Sequence, residues 1–193
     1  MATSQRDYVT IVSGLPRSGT SMMMQMIDKG GIPALVDHVR KADVDNPKGY
    51  YEFEPVKQTR QDPSWLNDAP GKVVKMVHML LLDLPDDHAY RVVFMRRHLP
   101  EVIASQNRML ERRGKPVGDL AEDKLIAMFQ AQLDKVDHYL DTHRNFQMLH
   151  VNYNDTIQNP VPTIEAINAF LDSNLDTDAM LAVVDPNLYR NRR

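Results

Sequence analysis

An apolar run leads into a glycine-bounded loop between residues 10 and 21, with the sequence TIVSGLPRSGTS. Gly14 and Gly19 allow the backbone to turn tightly, and a helix beginning near Thr20 would direct the positive end of its dipole into that turn. Backbone N–H groups in such a turn bind phosphate or sulfate oxygens, so the segment predicts an anion-binding site. The residues that we assign to this site are Gly14, Pro16, Arg17, Ser18, Gly19, Thr20 and Ser21.

The spacing of this loop matches a P-loop in all but one position. In the P-loop a lysine follows the second glycine, whereas this chain has Thr20 there, followed by Ser21. That lysine reaches the terminal phosphates of a Mg-bound nucleoside triphosphate, and here Arg17 is the only cationic side chain in the loop. The loop therefore favours a phosphate-containing ligand other than Mg-ATP.

Two further segments place polar groups where apolar strands end. The run YRVVFMRRHLPEVIAS, residues 90–105, ends its strand in arginine, and Ser105 follows eight residues after Arg97. In the segment VNYNDTIQNP, residues 151–160, Tyr153 directly follows the end of an apolar strand. Because open α/β sheets bind ligands at the carboxyl ends of their parallel strands, we expect these groups to lie near the loop.

These three segments, in this order, resemble the motifs of the sulfotransferases, which bind 3'-phosphoadenosine 5'-phosphosulfate (PAPS). The resemblance implies that the loop holds the 5'-phosphosulfate and that Arg97 and Ser105 hold the 3'-phosphate that distinguishes PAPS from ATP. It also implies that no metal is required. Tyr153 has two interpretations, a contact with adenosine or a packed core aromatic. The resemblance gives Arg190 a further role at the 3'-phosphate, although the chain lacks the Arg-Lys-Gly segment of the cytosolic members.

Three residues are candidates for the base that removes the acceptor proton. The segment NPKGYYEFE, residues 46–54, resembles the Asn-Pro-Lys-Gly-Tyr-x-Glu segment of bacterial sulfotransferases and makes Glu52 the first choice. Glu54 is second: in an extended strand it would share a face with Glu52, but before Pro55 it would cap a helix. The segment Lys75-Met-Val-His78 resembles the Lys-Thr-His of cytosolic sulfotransferases, which assigns Lys75 to the leaving group. His78, shifted by one residue, is the third base candidate or a structural histidine.

Strands and helices alternate along the chain. Short, continuous apolar strands separated by helices predict an α/β protein, a three-layer P-loop fold with a central, mostly parallel sheet flanked by helices. The predicted strands are Tyr8–Ser13, Lys72–Met76, Arg91–Met95 and Gln147–Asn152. The predicted helices are Thr20–Lys29, Glu101–Arg113, Asp119–His143, Pro162–Asp172 and Thr177–Val184. Residues 32–49 have no clear period, and we interpret them as part of the acceptor side of a single domain covering residues 1–193.

Composition limits the possible partners. The chain of 193 residues carries a formal net charge of −3, which argues against nucleic acid or an anionic membrane as its partner. It has no cysteine and no long uncharged apolar run, so we expect a cytoplasmic protein. The expected partners are the nucleotide and a small-molecule or polymer acceptor.

Two alternative functions remain open at this point. A kinase-like P-loop enzyme would use ATP, but it would need the missing lysine and an aspartate that ends a strand. Asp83 and Asp155 do not follow clean apolar strands. A non-catalytic nucleotide-binding protein would keep the phosphate-binding residues without a working base.

Overall fold

The computed structural model describes residues 7–43 and 46–185 of the chain. Within these ranges a four-stranded sheet lies between two layers of helices. The strands are Val9–Gly14 (β1), Val73–Val77 (β2), Tyr90–Arg96 (β3) and Phe146–Asn152 (β4). They lie in the order β2-β1-β3-β4, and every pair is parallel. The predicted α/β fold is confirmed, with a sheet that is parallel throughout.

The helices of the described ranges connect and cover these strands. The α-helices are Thr20–Lys29 (α1), Leu99–Arg112 (α2), Glu122–Thr142 (α3), Tyr153–Gln158 (α4), Pro160–Phe170 (α5) and Thr177–Val183 (α6). Three short 3-10 helices are Glu54–Gln58, Ser64–Asp68 and His78–Asp83. None of the helices in the described part of the chain combines the length and apolarity that crossing a membrane requires.

Successive side chains along each strand point to opposite faces of the sheet, and each face has its own half of the core. In the central strand β1, Ile11 packs with Val74 and Phe94 in a cluster that also contains residues of α2 and α3. Its neighbour Val12 belongs to a second cluster, with residues of α1, α5 and α6. Because side chains alternate along a strand and both faces are covered, all six residues of β1 are buried. This double burial explains the continuous apolar run in the sequence.

The predicted strands are found within one residue at each end, and the predicted helices within three. The sequence did not predict α4 or the three 3-10 helices. Asn152 caps α4, because its side chain accepts hydrogen bonds from the backbone N–H groups of Asn154 and Asp155. This cap begins a helix immediately after β4, so Tyr153 is helical.

The turn between β1 and α1 depends on its two glycines. Gly14 and Gly19 have φ angles of 146° and 100°. A Cβ atom on Gly14 would lie 2.7 Å from the carbonyl oxygen of Met95, and one on Gly19 would lie 2.4 Å from Cδ2 of Tyr153. The backbone of the turn therefore packs directly against the start of α4 and the end of β3.

We predict that Gly19→Ala destabilises the fold more than Gly71→Ala does. Both glycines have positive φ, so each substitution should cost about 1–2 kcal/mol in backbone strain. A Cβ on Gly71 would meet nothing within 4 Å, whereas one on Gly19 would collide with the Tyr153 ring and should cost about 1–3 kcal/mol more. Urea unfolding of both variants measures the difference, and equal losses would contradict the packing argument.

Candidate active site

The carboxyl ends of β1, β2 and β3 open into a cavity of about 440 Å³. Its walls come from the loop after β1, from Arg40 and residues 46–57, from the ends of β2 and β3, and from α2 and α4. This is the edge of a parallel sheet at which ligands bind. The structure thus brings together the segments that the sequence analysis singled out.

The glycine-bounded loop forms a cradle at one end of the cavity. Gly19, at the N-terminal cap of α1, has no side chain to bond the first N–H groups of the helix. The Ser18 side chain is buried and, unlike the other residues predicted for the loop, does not line the cavity. The first N–H groups of a helix have no partner within the helix, so this cradle fits a phosphate or sulfate group.

Arg17 connects this loop to α2. Its backbone adopts a positive φ of 74°. The Arg17 Nε atom donates a hydrogen bond to Ser105 Oγ at 3.0 Å. Its carbonyl oxygen accepts a hydrogen bond from Arg97 Nη1 at 3.1 Å. Arg17, Arg97 and Ser105, which are far apart in the sequence, therefore form one cluster on the cavity wall.

Arg97 is held in place by the Glu101 carboxylate, by the Tyr153 ring and by the Arg17 carbonyl oxygen. Its Nε atom donates to Glu101 Oε2 at 2.9 Å, and the two side chains are 7% and 1% exposed. Its guanidinium carbon lies 4.5 Å from the centre of the Tyr153 ring. The Asn154 amide donates to both Glu101 oxygens at 3.1 Å. A cation fixed in this way binds an anion with little further loss of side-chain entropy.

Tyr153 is a packed aromatic, one of the two interpretations that its sequence left open, and it also borders the cavity. Its side chain is buried in the core cluster under α1 and α5, as a packed aromatic would be. It also lines the cavity between Gly19 and Arg97. The ring therefore supports the loop and Arg97 at the same time.

Lys75, in β2, lines the cavity. Its Nζ atom donates to the carbonyl oxygen of Tyr50 at 2.8 Å and to Ser21 Oγ at 3.2 Å. The Asn46 amide also donates to Ser21 Oγ, at 2.8 Å. Burial lowers the pKa of Lys75 to about 8, although the carboxylate of Glu52 opposes this shift. The ammonium group thus contacts the end of the glycine-bounded loop through Ser21 and the segment 46–57 through Tyr50.

Glu52 lines the cavity, and its negative charge raises the pKa of Lys75 against the effect of burial. Its Oε1 atom accepts a hydrogen bond from Arg40 Nη1 at 2.6 Å. The Arg40 guanidinium carbon lies 3.3 Å from the centre of the Tyr50 ring. The carboxylate is therefore oriented by a stacked arginine that also lines the cavity.

The other two base candidates do not line the cavity. Glu54 begins the 3-10 helix Glu54–Gln58 and pairs with Lys57 at 2.6 Å. The expected extended strand that would align Glu54 with Glu52 is wrong, because Pro55 near the helix start sets the backbone for a turn. His78 is buried, and its Nε2 atom lies 3.0 Å from Gln132 Oε1. Burial lowers its pKa. Arg190 lies outside the described residues.

Sequence reasoning missed several residues of the cavity wall. Arg40 falls in the segment without a clear period, so no local pattern pointed to it. Tyr50 belongs to the Asn-Pro-Lys-Gly-Tyr-x-Glu segment, which pointed to Glu52 and not to the tyrosine. Three arginines of α2 and its C-terminal cap also line the cavity. Their signal was present in the sequence, because they follow Ser105 at helical spacing: Arg108, Arg112 and Arg113.

We predict that Lys75 lowers the stability of the ligand-free protein below pH 8. The unfolded chain keeps the Lys75 proton up to its ordinary pKa of 10.5, whereas the folded chain loses it near pH 8. Stability should therefore rise as the pH increases from 8 to 10.5, by at most about 1.4 kcal/mol per unit. The free energy of unfolding of Lys75→Met should exceed that of the wild type most at pH 7, and this difference should shrink towards pH 10.5.

Urea unfolding at a series of pH values tests this prediction. The control is Lys135→Met, which removes an exposed lysine of α3. A difference between Lys75→Met and wild type that does not change with pH would contradict the lowered pKa.

Comparison with known proteins adds independent evidence. A family model described as the Sulfotransferase family matches residues 53–177. The glycine-bounded loop precedes the matched segment, so the match and the loop are separate observations. No curated protein sequence matches the chain.

Solved sulfotransferases share the fold. The sulfotransferase STF1 from Mycobacterium tuberculosis H37Rv has 16% identity and a TM-score of 0.60, over 92% of this chain and 70% of that one. For mouse sulfotransferase SULT7A1 complexed with PAP, the values are 14%, 0.58, 95% and 64%. For a sulfotransferase from Alicyclobacillus acidocaldarius, they are 14%, 0.51, 97% and 98%. The chain thus spans slightly less than two thirds of the mouse enzyme. Because the family model matches well over half of the sequence, this chain belongs to the sulfotransferase family.

Proposed function

We propose that this protein transfers the sulfuryl group of PAPS to a hydroxyl or amine of an acceptor. The main support for the proposal is that one cavity contains two groups of residues suited to binding anions. The first is the cradle at Gly14 to Ser21, and the second is the cluster of Arg97 with Ser105. Arg17 is hydrogen-bonded to both members of that cluster. A nucleotide with phosphate groups on both its 5' and 3' sides matches this arrangement.

The nucleotide would occupy the cavity between these two points. We assign the 5'-phosphosulfate to the cradle, where the first N–H groups of α1 would bind its oxygens. We assign the 3'-phosphate to Arg97 and Ser105. The Ser105 hydroxyl accepts a bond from Arg17, so its own O–H group can donate to a phosphate oxygen. Mouse sulfotransferase SULT7A1, which shares the fold, was solved as a complex with PAP.

Sulfuryl transfer needs an acceptor in line with the bond that breaks. The acceptor oxygen or nitrogen forms a new bond to sulfur, and the bond from sulfur to the bridging phosphate oxygen breaks to release PAP. In this proposal the Glu52 carboxylate removes the proton from the acceptor as the new bond forms. The Lys75 ammonium would donate a hydrogen bond to the bridging oxygen, where negative charge develops. This step consumes no other reactant and forms no covalent bond to the enzyme.

The two alternative functions predict different behaviour. A kinase-like enzyme would prefer Mg-ATP, and the threonine in place of the P-loop lysine disfavours it. A non-catalytic nucleotide-binding protein would lack a base on the acceptor side. A carboxylate on the cavity wall, close enough to Lys75 to influence its pKa, favours a working enzyme.

We predict that PAP binds more tightly than ADP in the absence of Mg²⁺, and that Arg97 is responsible. Removing Arg97 alone would leave a buried Glu101 carboxylate without its partner, which is strongly destabilising. The test variant is therefore Arg97→Met/Glu101→Gln. It should weaken PAP about tenfold to a hundredfold and change ADP much less, because one charge-assisted phosphate contact is lost. Isothermal titration calorimetry measures both affinities.

The matched control is Arg96→Met, which removes the neighbouring arginine. Arg96 pairs with Asp137 outside the cavity. Equal losses of PAP and ADP affinity in the double variant would show that Arg97 does not bind the 3'-phosphate. Tighter binding of ADP or Mg-ATP than of PAP by the wild type would favour the kinase alternative.

We predict that Glu52→Gln lowers turnover by about 10²–10⁴-fold, because a positioned base contributes that much to a rate. PAP affinity should change little, since we place Glu52 on the acceptor side. Glu54→Gln is the matched control and should keep wild-type turnover, because its side chain does not line the cavity. The assay follows radiolabelled sulfate from PAPS to a panel of hydroxyl and amine acceptors. Wild-type turnover in Glu52→Gln together with an inactive His78→Ala would replace Glu52 by His78 as the base.

A further inference from the structure

We infer that Arg40 and Asp37 are positioning residues for the base, Glu52. Arg40 holds one oxygen of the Glu52 carboxylate, and the other oxygen, Oε2, takes the proton from the acceptor. Asp37 joins the segment that carries Arg40 to the segment that carries Glu52. The inference rests on the proposed function, because it needs Glu52 to be the base of that reaction.

The two carboxylate oxygens of Glu52 have different surroundings. Oε1 accepts a hydrogen bond from Arg40 Nη1 at 2.6 Å. Among the described residues Oε2 has no hydrogen-bond partner, and the side chain lines the cavity. An arginine stays protonated in proteins and only donates, so Arg40 leaves Oε2 as the oxygen that can receive a proton. A base that a third group holds in place is a recurring feature of catalytic sites.

Arg40 is itself held in one orientation. Its guanidinium carbon lies 3.3 Å from the centre of the Tyr50 ring. That ring is buried, and its hydroxyl donates to Asp43 Oδ1 at 2.6 Å. A planar guanidinium can stack on a ring and bond to a carboxylate at the same time, which a lysine ammonium cannot do. The stacked arginine therefore restricts the rotation of the Glu52 carboxylate.

The ion pair acts on the lysine that we assign to the bridging oxygen. The pKa of Lys75 is lowered by burial, raised by the charge of Glu52 and lowered by the charge of Arg40. Lys75 Nζ also donates to the carbonyl oxygen of Tyr50, two residues before Glu52 in the chain. One short segment thus connects the base to the lysine of the leaving group.

Asp37 joins the backbone on both sides of the ion pair. Its Oδ2 atom accepts a hydrogen bond from the Glu54 N–H at 2.5 Å, and its Oδ1 atom accepts one from the Val39 N–H at 3.0 Å. Its own N–H donates to the carbonyl oxygen of Glu52 at 3.3 Å. Asp37 does not line the cavity. It can therefore affect the reaction only through the residues that it holds.

Two strained residues flank these contacts. His38, which follows Asp37, has a φ of 57°, and Tyr51, which precedes Glu52, has a φ of 53°. A left-handed backbone is unfavourable for residues with a Cβ atom and persists only where the surrounding contacts fix it. Such residues cluster at functional sites, so the strain supports a site whose geometry is maintained by these contacts.

The first measurement tests whether Arg40 acts through Glu52. We expect Arg40→Met to lower turnover about tenfold to a hundredfold, because a misplaced catalytic group loses up to that much rate. In the Glu52→Gln background the same substitution should change turnover less than about twofold, since no base remains to be oriented. Arg60→Met is the control, because Arg60 is exposed and does not line the cavity. Equal losses in both backgrounds would overturn the inference.

The affinity for PAP separates orientation of the base from binding of the nucleotide. We expect Arg40→Met to weaken PAP less than about fivefold, because the charge that it removes is paired with Glu52. Isothermal titration calorimetry measures this affinity and shows that the variant is folded. A loss as large as that of Arg97→Met/Glu101→Gln would assign Arg40 to the nucleotide and overturn the inference.

Asp37→Asn tests the same support from outside the cavity. An amide has one acceptor oxygen, so it cannot accept from both N–H groups as the carboxylate does. We expect turnover about fivefold lower or less with unchanged PAP affinity, and no further loss in the Glu52→Gln background. The matched control is Asp62→Asn, because Asp62 also accepts from the N–H two residues on, that of Ser64 at 3.0 Å, and does not line the cavity. Equal turnover of Asp37→Asn and Asp62→Asn would overturn the role of Asp37.

Turnover is measured with radiolabelled PAPS, the panel of hydroxyl and amine acceptors, and water. Water also loses a proton as its oxygen bonds to sulfur, and its attack releases inorganic sulfate together with PAP. Wild-type turnover in Glu52→Gln would overturn this inference and leave sulfuryl transfer standing. A wild type that is inactive with all of these acceptors would remove the proposed function and this inference together.

Discussion

The buried ion pair between Arg97 and Glu101 is the interaction on which the cavity depends. Both side chains are almost inaccessible to water, and the pair bonds to Asn154 at the start of α4 and to the Arg17 carbonyl in the loop. Three segments distant in the sequence meet there. Breaking a buried pair by removing one partner costs about 3–5 kcal/mol, so these segments are held to one arrangement. The pair orients an arginine towards the cavity as a consequence of the fold.

The cavity concentrates positive charge in a protein that is negative as a whole. Its cations are held differently. Arg97 and Arg40 are fixed by carboxylates and aromatic rings, whereas Lys75 is bonded to a backbone carbonyl and a serine hydroxyl. The fixed arginines suit the recognition of anionic groups that do not react. The lysine, with a pKa lowered to about 8 by burial, suits a position next to an oxygen whose charge changes during the reaction.

Much of the fold could be predicted from the sequence because the strands are buried on both faces. Continuous apolar runs such as that in β1 leave little doubt about strand position, and the glycine pair marks the following turn. The start of α4 could not be predicted in the same way. There Asn152, the predicted strand end, also caps a six-residue helix that starts at Tyr153, and Tyr153 packs against Gly19. Short capped helices carry too few residues for a periodic signal.

The sequence by itself determined the order of the strands and helices along the chain, the glycine-bounded loop and the positions of Arg97 and Ser105 at one edge of the sheet. These depend on local patterns and on the rule that parallel strands end on the same side. Only the tertiary structure decided that Glu52 lines the cavity and that Glu54 does not, because one backbone turn at Pro55 separates them. It also decided that Arg40, Tyr50 and Arg113 meet, since contacts between residues distant in the sequence leave no local pattern in the chain.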